Sequence, residues 1–599
     1  MKIYDIEVFE HLNLAGYFDV ETGAIDIYVN ADAAKPQTIV HNDALVYINT
    51  HISPVSPENG LIGFNNHSYD DYLIDDILKH RRTDYIKTKS DTIINGKRIN
   101  QYFDWWSFDV KEGLQDGVSL KKWEAMRGLS VLESTIPFDY TGLFDINMIL
   151  EVVDYNIQDL KAQYELYKYR KTYFEGKNIL VNEYGWSGSQ RYSNTSISAR
   201  YLMGNSKLAE FRPKTPSIYG VPDEAFDFLK NALEASPRVS AGKTSSIREK
   251  LKKAEWSEQI TASHGMVYTW GWGGLHGAIG LLGKTKTGKN KISYPSVDFE
   301  NVEQWDVSSM FPNIIIRDNL LGEQTSKYRR LVSERLKNKA NHNPVADAQK
   351  IVINSVYGAL RLQTSRLYNP KSAIAVNVAG MVAVYNLADK LSQYGQLINV
   401  NTDGVTFQPN HGTSDKLHMI KESFEAEFKL GLEVTKYDRF IQSNVNNYIA
   451  KSGDHFKTKG GMLNQSQSYN YLSKSKPAII DKALFEYLVN DIPPRQTIEN
   501  GSLSDFTYIL TSVRGKTQTG YTVDENSNRL SNRVNRVIAT KNGTRLFKEK
   551  TNGTLQKFSD APELMTVLNE PIDETSEFDI DYDFYVELAD KKIKTWNKS

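Results

Sequence analysis

Chemistry can be built first around Asp306 and Asp403. Asp306 ends a strand-like run in residues 304–317 (QWDVSSMFPNIIIR), and Ser309, Met310 and Pro312 read as the cap and first turn of a helix carrying Ile314 to Ile316. A carboxylate at such a junction can hold a metal while the N–H groups of the helix start face a polyanion. The second carboxylate comes from residues 397–407 (LINVNTDGVTF), where Asn401-Thr402-Asp403-Gly404 reads as a tight turn presenting Asp403 at a hairpin tip. Between the two, residues 350–358 (KIVINSVYG) space Lys350, Asn354 and Tyr357 onto roughly one helix face, so that a cation, an amide and an aromatic edge look into one cleft.

A second set of carboxylates lies in the first 165 residues. Residues 1–9 alternate in a strand pattern that puts Asp5 and Glu7 on one side of a sheet, which is costly unless a cation sits between them. Residues 61–74 (LIGFNNHSYDDYLI) read as a strand into Asn65 and Asn66, then a helix-like start at Tyr69 and Asp70. Asp159 follows Tyr155 by four on a helical stretch and shares its face. Asp5, Glu7, Asp70 and Asp159 can together hold two divalent ions, with Tyr155 orienting the water that attacks a phosphodiester. Taken singly, Asp5 and Glu7 read better as a solvated edge strand and Tyr155 as a core aromatic.

The elements that must position these groups are legible in outline. Residues 327–360 read as two helices broken at NHNP (341–344); an antiparallel pair brings Arg335 and Lys339 to Lys350. Residues 268–280 (YTWGWGGLHGAIG) alternate aromatics with glycines and read either as a track for a single strand or as a glycine-bent hairpin under the core. His264 and His276 lack the spacing of a zinc site. Residues 166–265 are mixed and loop-rich, with SPRVSAGKTSSIREKLKKAE as an exposed connection and no assignable chemistry. A helix is predicted over 372–394, paired strands over KYDRFIQSNVNNYIA, and a small mixed domain beginning with the helix KALFEYLVN.

The 599 residues suffice for about four domains or fewer. Without Cys there is neither a disulfide nor a thiolate metal site. The acidic, amphipathic start and the lack of an apolar run of membrane-spanning length predict a soluble, cytoplasmic protein with no membrane contact. The net charge of −1 hides an uneven division: Lys and Arg against Asp and Glu number 13 and 26 over residues 1–160, 29 and 19 over 161–360, and 30 and 28 over 361–599. A basic middle would attract a phosphate backbone, although ordinary solvated surface gives the same imbalance.

In this order, the segments resemble the three polymerase motifs of B-family DNA polymerases. Asp306, Ser309, Phe311 and Pro312 match D-x-x-S-L-Y-P; Lys350, Asn354, Ser355, Tyr357 and Gly358 match K-x-x-x-N-S-x-Y-G; Thr402 and Asp403 match the latter part of D-T-D-S. Asp5 and Glu7 resemble the D-x-E motif of the family's proofreading exonucleases, Asn66, Tyr69 and Asp70 its N-x-x-F/Y-D, and Tyr155 and Asp159 its Y-x-x-x-D. Ser119 and Leu120 resemble the motif that holds a frayed primer end, Trp272, Gly273 and Gly274 the Y-x-G-G/A segment, and Tyr448, Lys459 and Gly460 the primer-contacting K-K-x-Y and K-G segments.

The resemblance implies an α/β multidomain chain, an RNase H-like exonuclease domain followed by a right-hand polymerase. The 3′-5′ exonuclease domain would span 1–165, a connecting region 166–265, the palm 266–325 and 361–480, the fingers helix pair 326–360, and the thumb 481–599. It implies a template-dependent DNA polymerase serving phage DNA replication, with two Mg²⁺ (or Mn²⁺) ions per active site. Asp306, Val307 and Asp403 would bind one pair, and Asp5, Glu7, Asp70 and Asp159 the other. Ser309, Met310, Phe311, Arg335, Lys339, Lys350, Asn354 and Tyr357 would meet the dNTP. Asn66, Tyr69, Ser119, Leu120, Trp272, Gly273, Gly274, Tyr448 and Lys459 would meet primer-template DNA. Replisome proteins are implied as further partners of a monomeric enzyme. Only 44 residues separate Asp306 from Lys350 and 53 separate Lys350 from Asp403, which leaves no room for the insertions of protein-primed phage polymerases. Two departures stand out: Asn401 replaces the first Asp of D-T-D-S, and Asn446 stands where Lys is expected. A nuclease with a degenerate polymerase half and a noncatalytic DNA-binding scaffold are the rival readings.

Overall fold

A computed structural model describes residues 1–50, 60–97, 99, 101, 105–114, 118–183, 189–234, 257–284, 290–460, 477–512, 520–550, 552–559 and 561–596. The connection SPRVSAGKTSSIREKLKKAE lies outside them. The chain is a mixed α/β, multidomain protein that divides into two compact units, one of Met1–Arg191 with Gln467–Asp590, the other of Tyr192–Ser466 with Lys591–Ser599.

The first unit is built on a seven-stranded sheet of β1 (Lys2–Val8), β2 (Leu12–Asp19), β3 (Ile25–Ala31), β4 (Gln37–His41), β5 (Ala44–Ile48), β6 (Leu61–Gly63) and β7 (Ser107–Asp109), in the order β4-β5-β3-β2-β1-β6-β7. β1 pairs antiparallel with β2 and parallel with β6. It is therefore a central strand, not the solvated edge that Asp5 and Glu7 alone allowed. Both faces are covered: Tyr4, Ile6 and Val8 join one apolar cluster with Ile74 and Ile77, while Ile3 and Phe9 join another with Ile149, Val152 and Val153. Two helices of this unit carry candidate site residues, α1 (Leu120–Met126) and α2 (Ile146–Glu183). α2 runs unbroken through the expected boundary at 165, because its apolar positions continue through Leu166, Tyr167 and Phe174 into the same core.

The C-terminal residues of this unit form their own core, with Ile479, Ala483, Val537, Ile538 and Tyr585 at its centre. They also dock on the end of α1. Arg536, fully buried, donates to the carbonyls of Ala125 (3.1 Å) and Leu129 (2.9 Å), and Asn532 donates to Val131 O (2.5 Å). Burial lowers the Arg536 guanidinium to about 10. The compact division thus differs from the serial one expected, since this packing joins residues after 477 to the first 191.

The second unit is built on a nine-stranded antiparallel sheet. Its strands are β8 (Ser257–Thr261), β9 (Met266–Gly271), β10 (Gly274–Ile279), β11 (Val297–Val307), β12 (Gly395–Asn401), β13 (Gly404–Pro409), β14 (Leu432–Asn444), β15 (Asn447–Ser452) and β16 (His455–Lys459), in the order β16-β15-β14-β11-β13-β12-β10-β9-β8. Four helices separate β11 from β12: α3 (Met310–Arg317), α4 (Thr325–Ala340), α5 (Val345–Arg361) and α6 (Pro370–Ser392). α6, rich in Ala and Val, packs against β10, β12 and β13. Its 23 residues have the length of a membrane span and its most apolar 18 residues the mean hydropathy of one (1.3), which corrects the expectation that no such run exists. Its most apolar stretch is 89% buried inside the protein, and there it serves as a core helix.

Two candidate active sites

In the first unit, strand alternation turns Asp5 and Glu7 toward α2, where Asp159 stands. Ligand oxygens of these three carboxylates lie within 4.8 Å of one another. Gly16, opposite Asp5 in the β1–β2 register, makes room: a Cβ there would lie 1.9 Å from Asn156 Oδ1. Asn156 Nδ2 and Gln163 Nε2 can then donate to the two oxygens of Asp5 at 3.0 and 2.9 Å. Burial first, and then repulsion from Glu7 and Asp159, holds Asp5 well above the usual carboxylate range; burial and Asp159 do the same to Glu7. Three such carboxylates in mutual reach are a donor set for a hard divalent cation.

Asp70 contributes to the field of this cluster but not to its three-oxygen group. It lies in a short 3₁₀ turn (Asp70–Tyr72), and burial pushes it up to about 8. Its neighbour Asp71, absent from the sequence reading, is fully buried. It accepts from Tyr4 OH, from Asn66 Nδ2 (3.1 Å) and from Ser107 Oγ (2.9 Å), and pairs with Arg191 (2.7 Å). Asn66 is therefore enclosed, and Tyr69 OH is engaged by Ser90 Oγ (2.6 Å). This geometry makes both residues supports of the turn. Ser119 caps α1, accepting from Lys122 N at 3.2 Å, and Leu120 is buried, so neither is a free side-chain contact.

The half-buried Tyr155 shares the α2 face with Asp159, as its spacing predicts. Lys121, also missed, reaches into the cluster from α1. It donates to Asp159 and to Glu124 (3.3 Å), and its Nζ sits 4.5 Å from the centre of the Tyr155 ring. Burial would lower this amine, but Asp159 and Glu124 outweigh it and leave it raised.

In the second unit, Asp306 stands one residue before the end of β11 opposite Gly404, and Val307 N donates to Asp403 O (2.7 Å), so the strand end and the hairpin tip meet. The hairpin is as predicted, with Thr402 at φ +52°, a costly conformation for a β-branched residue. Thr402 is secured by bonds from its N to Leu275 O (2.8 Å) and from its Oγ1 to Gly273 O (3.2 Å). Gly404 is required by proximity, since a Cβ there would fall 2.0 Å from Asp306 Oδ1. Gln304 Nε2 donates to that same oxygen (3.0 Å), and Gln304 Oε1 accepts from Tyr437 OH (3.0 Å) and Lys457 Nζ (3.3 Å). Burial raises Asp306 and Asp403; Lys457 opposes the rise at Asp306, and Lys459 and Lys457 oppose it at Asp403. Lys457 and Lys459 alternate on β16, a period-two signal that the sequence already contained. Glu433, opposite Asp306 on β14, is the remaining missed carboxylate.

Around this pair, α4 and α5 form the expected helix pair. Lys350 and Asn354 are exposed on α5 beside the half-buried Tyr357, while Val352, Val356 and Ala359 face inward. Lys339 is exposed and Arg335 half-buried on α4. Ser309 stands at the start of α3, but at φ +46° and without a side-chain cap, and Met310 is buried. The Phe311 ring packs on Tyr357 with centroids 4.6 Å apart, and Arg361 lies over both Tyr357 (5.4 Å) and Trp272 (5.2 Å). Trp272 and Gly273 form the β9–β10 turn and Gly274 begins β10, so the glycine-bent hairpin is present. Tyr448 is buried and stacked on Phe440 (4.9 Å), which leaves little of its ring for a primer; Lys459 is half-buried near Asp403.

No protein-family model matches this chain, and no curated protein matches it. Among solved structures it is similar to the family B DNA polymerase from the hyperthermophilic archaeon Pyrobaculum calidifontis, at 12% identity and a TM-score of 0.41, over 99% of this chain and 77% of that one.

Proposed function

We propose that the chain is a template-dependent DNA polymerase with a 3′-5′ proofreading exonuclease, the first unit carrying the hydrolytic site and the second the polymerising one. The observation that carries this reading is the assembly of two separate carboxylate clusters, one in each unit, from segments that resemble the family's motifs. The donor sets fit Mg²⁺ or Mn²⁺: all are oxygen ligands, and Asp5 and Glu7 repel in a way that a cation relieves. When bound, such ions stabilise the attacking and leaving oxygens of an in-line displacement at phosphorus.

In the second unit, Asp306 and Asp403 would hold the metal and Gln304 would fix the Asp306 carboxylate. Lys350, Arg335 and Lys339 would neutralise the triphosphate, and Lys457 and Lys459 would face the negative charge gathered at the carboxylate pair. Phe311, backed by Tyr357, would lie under the sugar and exclude a 2′-hydroxyl by collision. In the first unit, Asp5, Glu7 and Asp159 would hold the metal while Tyr155 orients water toward the terminal phosphodiester. Asn401 would support the hairpin, because a neutral amide is a poor Mg²⁺ ligand beside a carboxylate. Primer-template DNA and dNTPs are the partners of this reading, and a phage replication role and cytoplasmic location complete it. Primer extension and single-strand digestion with Mg²⁺ test it directly: a protein doing neither would refute it, and digestion without extension would leave only a nuclease.

A further inference from the structure

We propose that Arg361 is a DNA-binding residue of the second unit, holding a backbone phosphate of the template nucleotide that pairs with the incoming dNTP. The inference deepens the polymerase reading and rests on it. Lys350, Asn354, Tyr357 and Arg361 follow one another on α5 at spacings of four, three and four, which keeps all of them on one face of the helix. In that reading Lys350 meets the triphosphate, while Asn354 and Tyr357 lie against the nascent pair. Arg361 stands eleven residues beyond Lys350, roughly 16 Å further along the helix axis. At that distance the anion it meets is not the triphosphate but the strand across the pair.

The side chain is held ready for such a contact. Its guanidinium lies 5.2 Å from the centre of the Trp272 ring and 5.4 Å from that of Tyr357. Trp272 belongs to the β9–β10 turn, and that turn is fixed by its neighbours: Asn377 on α6 donates to Gly271 O (2.9 Å), and Thr402 Oγ1 donates to Gly273 O (3.2 Å). Arg361 therefore spans from the substrate-facing side of α5 to the turn that secures the Asp403 hairpin. It is half-buried, and among the described residues no carboxylate pairs with it. The helix dipole accounts for a cation in the last turn of α5, but not for its placement against two rings. A partly desolvated guanidinium without a counter-ion, on a face that otherwise meets substrate, suits a phosphate.

The test is binding of a primer-template to the full chain in chelator, followed by fluorescence anisotropy, with one template phosphate at a time replaced by a neutral methylphosphonate. The wild-type protein is expected to lose about tenfold in affinity at one linkage beside the templating nucleotide. Arg361→Met is expected to lose about as much on unmodified DNA, to lose nothing further at that linkage, and to show a salt slope smaller by about one. A merely structural Arg361 would leave the penalty at that linkage in place, and that result would overturn the contact. So would a loss that follows the template base rather than the linkage. Unchanged affinity and slope in Arg361→Met would also overturn it, and primer extension by the same protein would keep the polymerase reading intact. A wild-type protein that neither binds nor extends the unmodified primer-template would overturn both. Should Arg361→Met not fold, Arg361→Gln, which keeps a polar edge without the charge, takes its place in the same comparison.

Discussion

The carboxylates of the first unit are enclosed between a sheet and a long helix, whereas those of the second stand at a strand end and a hairpin tip. Burial raises the carboxyl groups in both, but it is countered differently. In the first unit a single lysine, fixed on a capped helix, reaches Asp159. In the second, Lys457 and Lys459 project from one face of an outer strand. The second cluster is the more open one, with Asp403 exposed and with exposed Lys350 and Asn354 on α5. Enclosure also brings a stability cost that the open pair largely avoids, since charge is concentrated where water cannot reach it.

The sharpest way to break this comparison is to remove the carboxylates. Asp306→Ala or Asp403→Ala is expected to lower primer extension on the order of 10³-fold or more while single-strand digestion continues. Asp5→Ala with Glu7→Ala is expected to do the reverse in the same two assays. Loss of both activities from either set, with the fold intact by circular dichroism, would mean that the clusters are not separate sites.

A smaller but more local effect is expected of Gly404→Ala, whose added methyl would displace the Asp306 carboxylate. Misplacement on this scale can cost about 100-fold in rate. Steady-state extension should fall accordingly with digestion unchanged, and a fully active variant would show that Asp306 works in another rotamer. Phe311→Ala should relax discrimination between dNTP and rNTP by roughly 10- to 100-fold, with Phe311→Tyr keeping it, because exclusion needs the ring and not a hydroxyl. An unchanged ratio of the two efficiencies would reduce Phe311 to the packing partner of Tyr357. Gln304→Leu removes the amide that fixes Asp306 and should cost about tenfold in metal affinity or extension, a loss at the low end for an outer-shell partner.

The mildest test is thermal. Asp70 and Glu124 are each raised by burial to about 8, so the folded state binds their protons more tightly than the unfolded chain does. Their stabilising contribution is complete below the unfolded carboxylate range, near 4, and is lost as pH rises toward about 8. In chelator, melting of the first unit should therefore fall across that window, and saturating Mn²⁺ should flatten the fall. A melting temperature that rises from pH 5 to 8 in chelator would contradict the enclosed picture of this cluster.

Sequence by itself determined the local geometry of both sites. Alternation put Asp5 and Glu7 on one strand face, a spacing of four put Tyr155 with Asp159, and the Asn-Thr-Asp-Gly turn made the hairpin, because each depends on backbone periods that operate within a few residues. The helix pair, the core helix and the paired strands after it were legible for the same reason. What only the tertiary structure decided was which polar groups lose water, and to whom. Asp70 and Asp71 are indistinguishable in sequence, yet long-range partners at Tyr4, Ser107 and Arg191 make one a structural anchor and leave the other in the field of the cluster. Asn66, Leu120 and Tyr448 are buried by packing that no local pattern announces. Lys121 gained its place because α1 lies across α2, and α1 in turn is held by Arg536, about four hundred residues further along the chain. Such desolvation depends on which faces meet, and no local period encodes that.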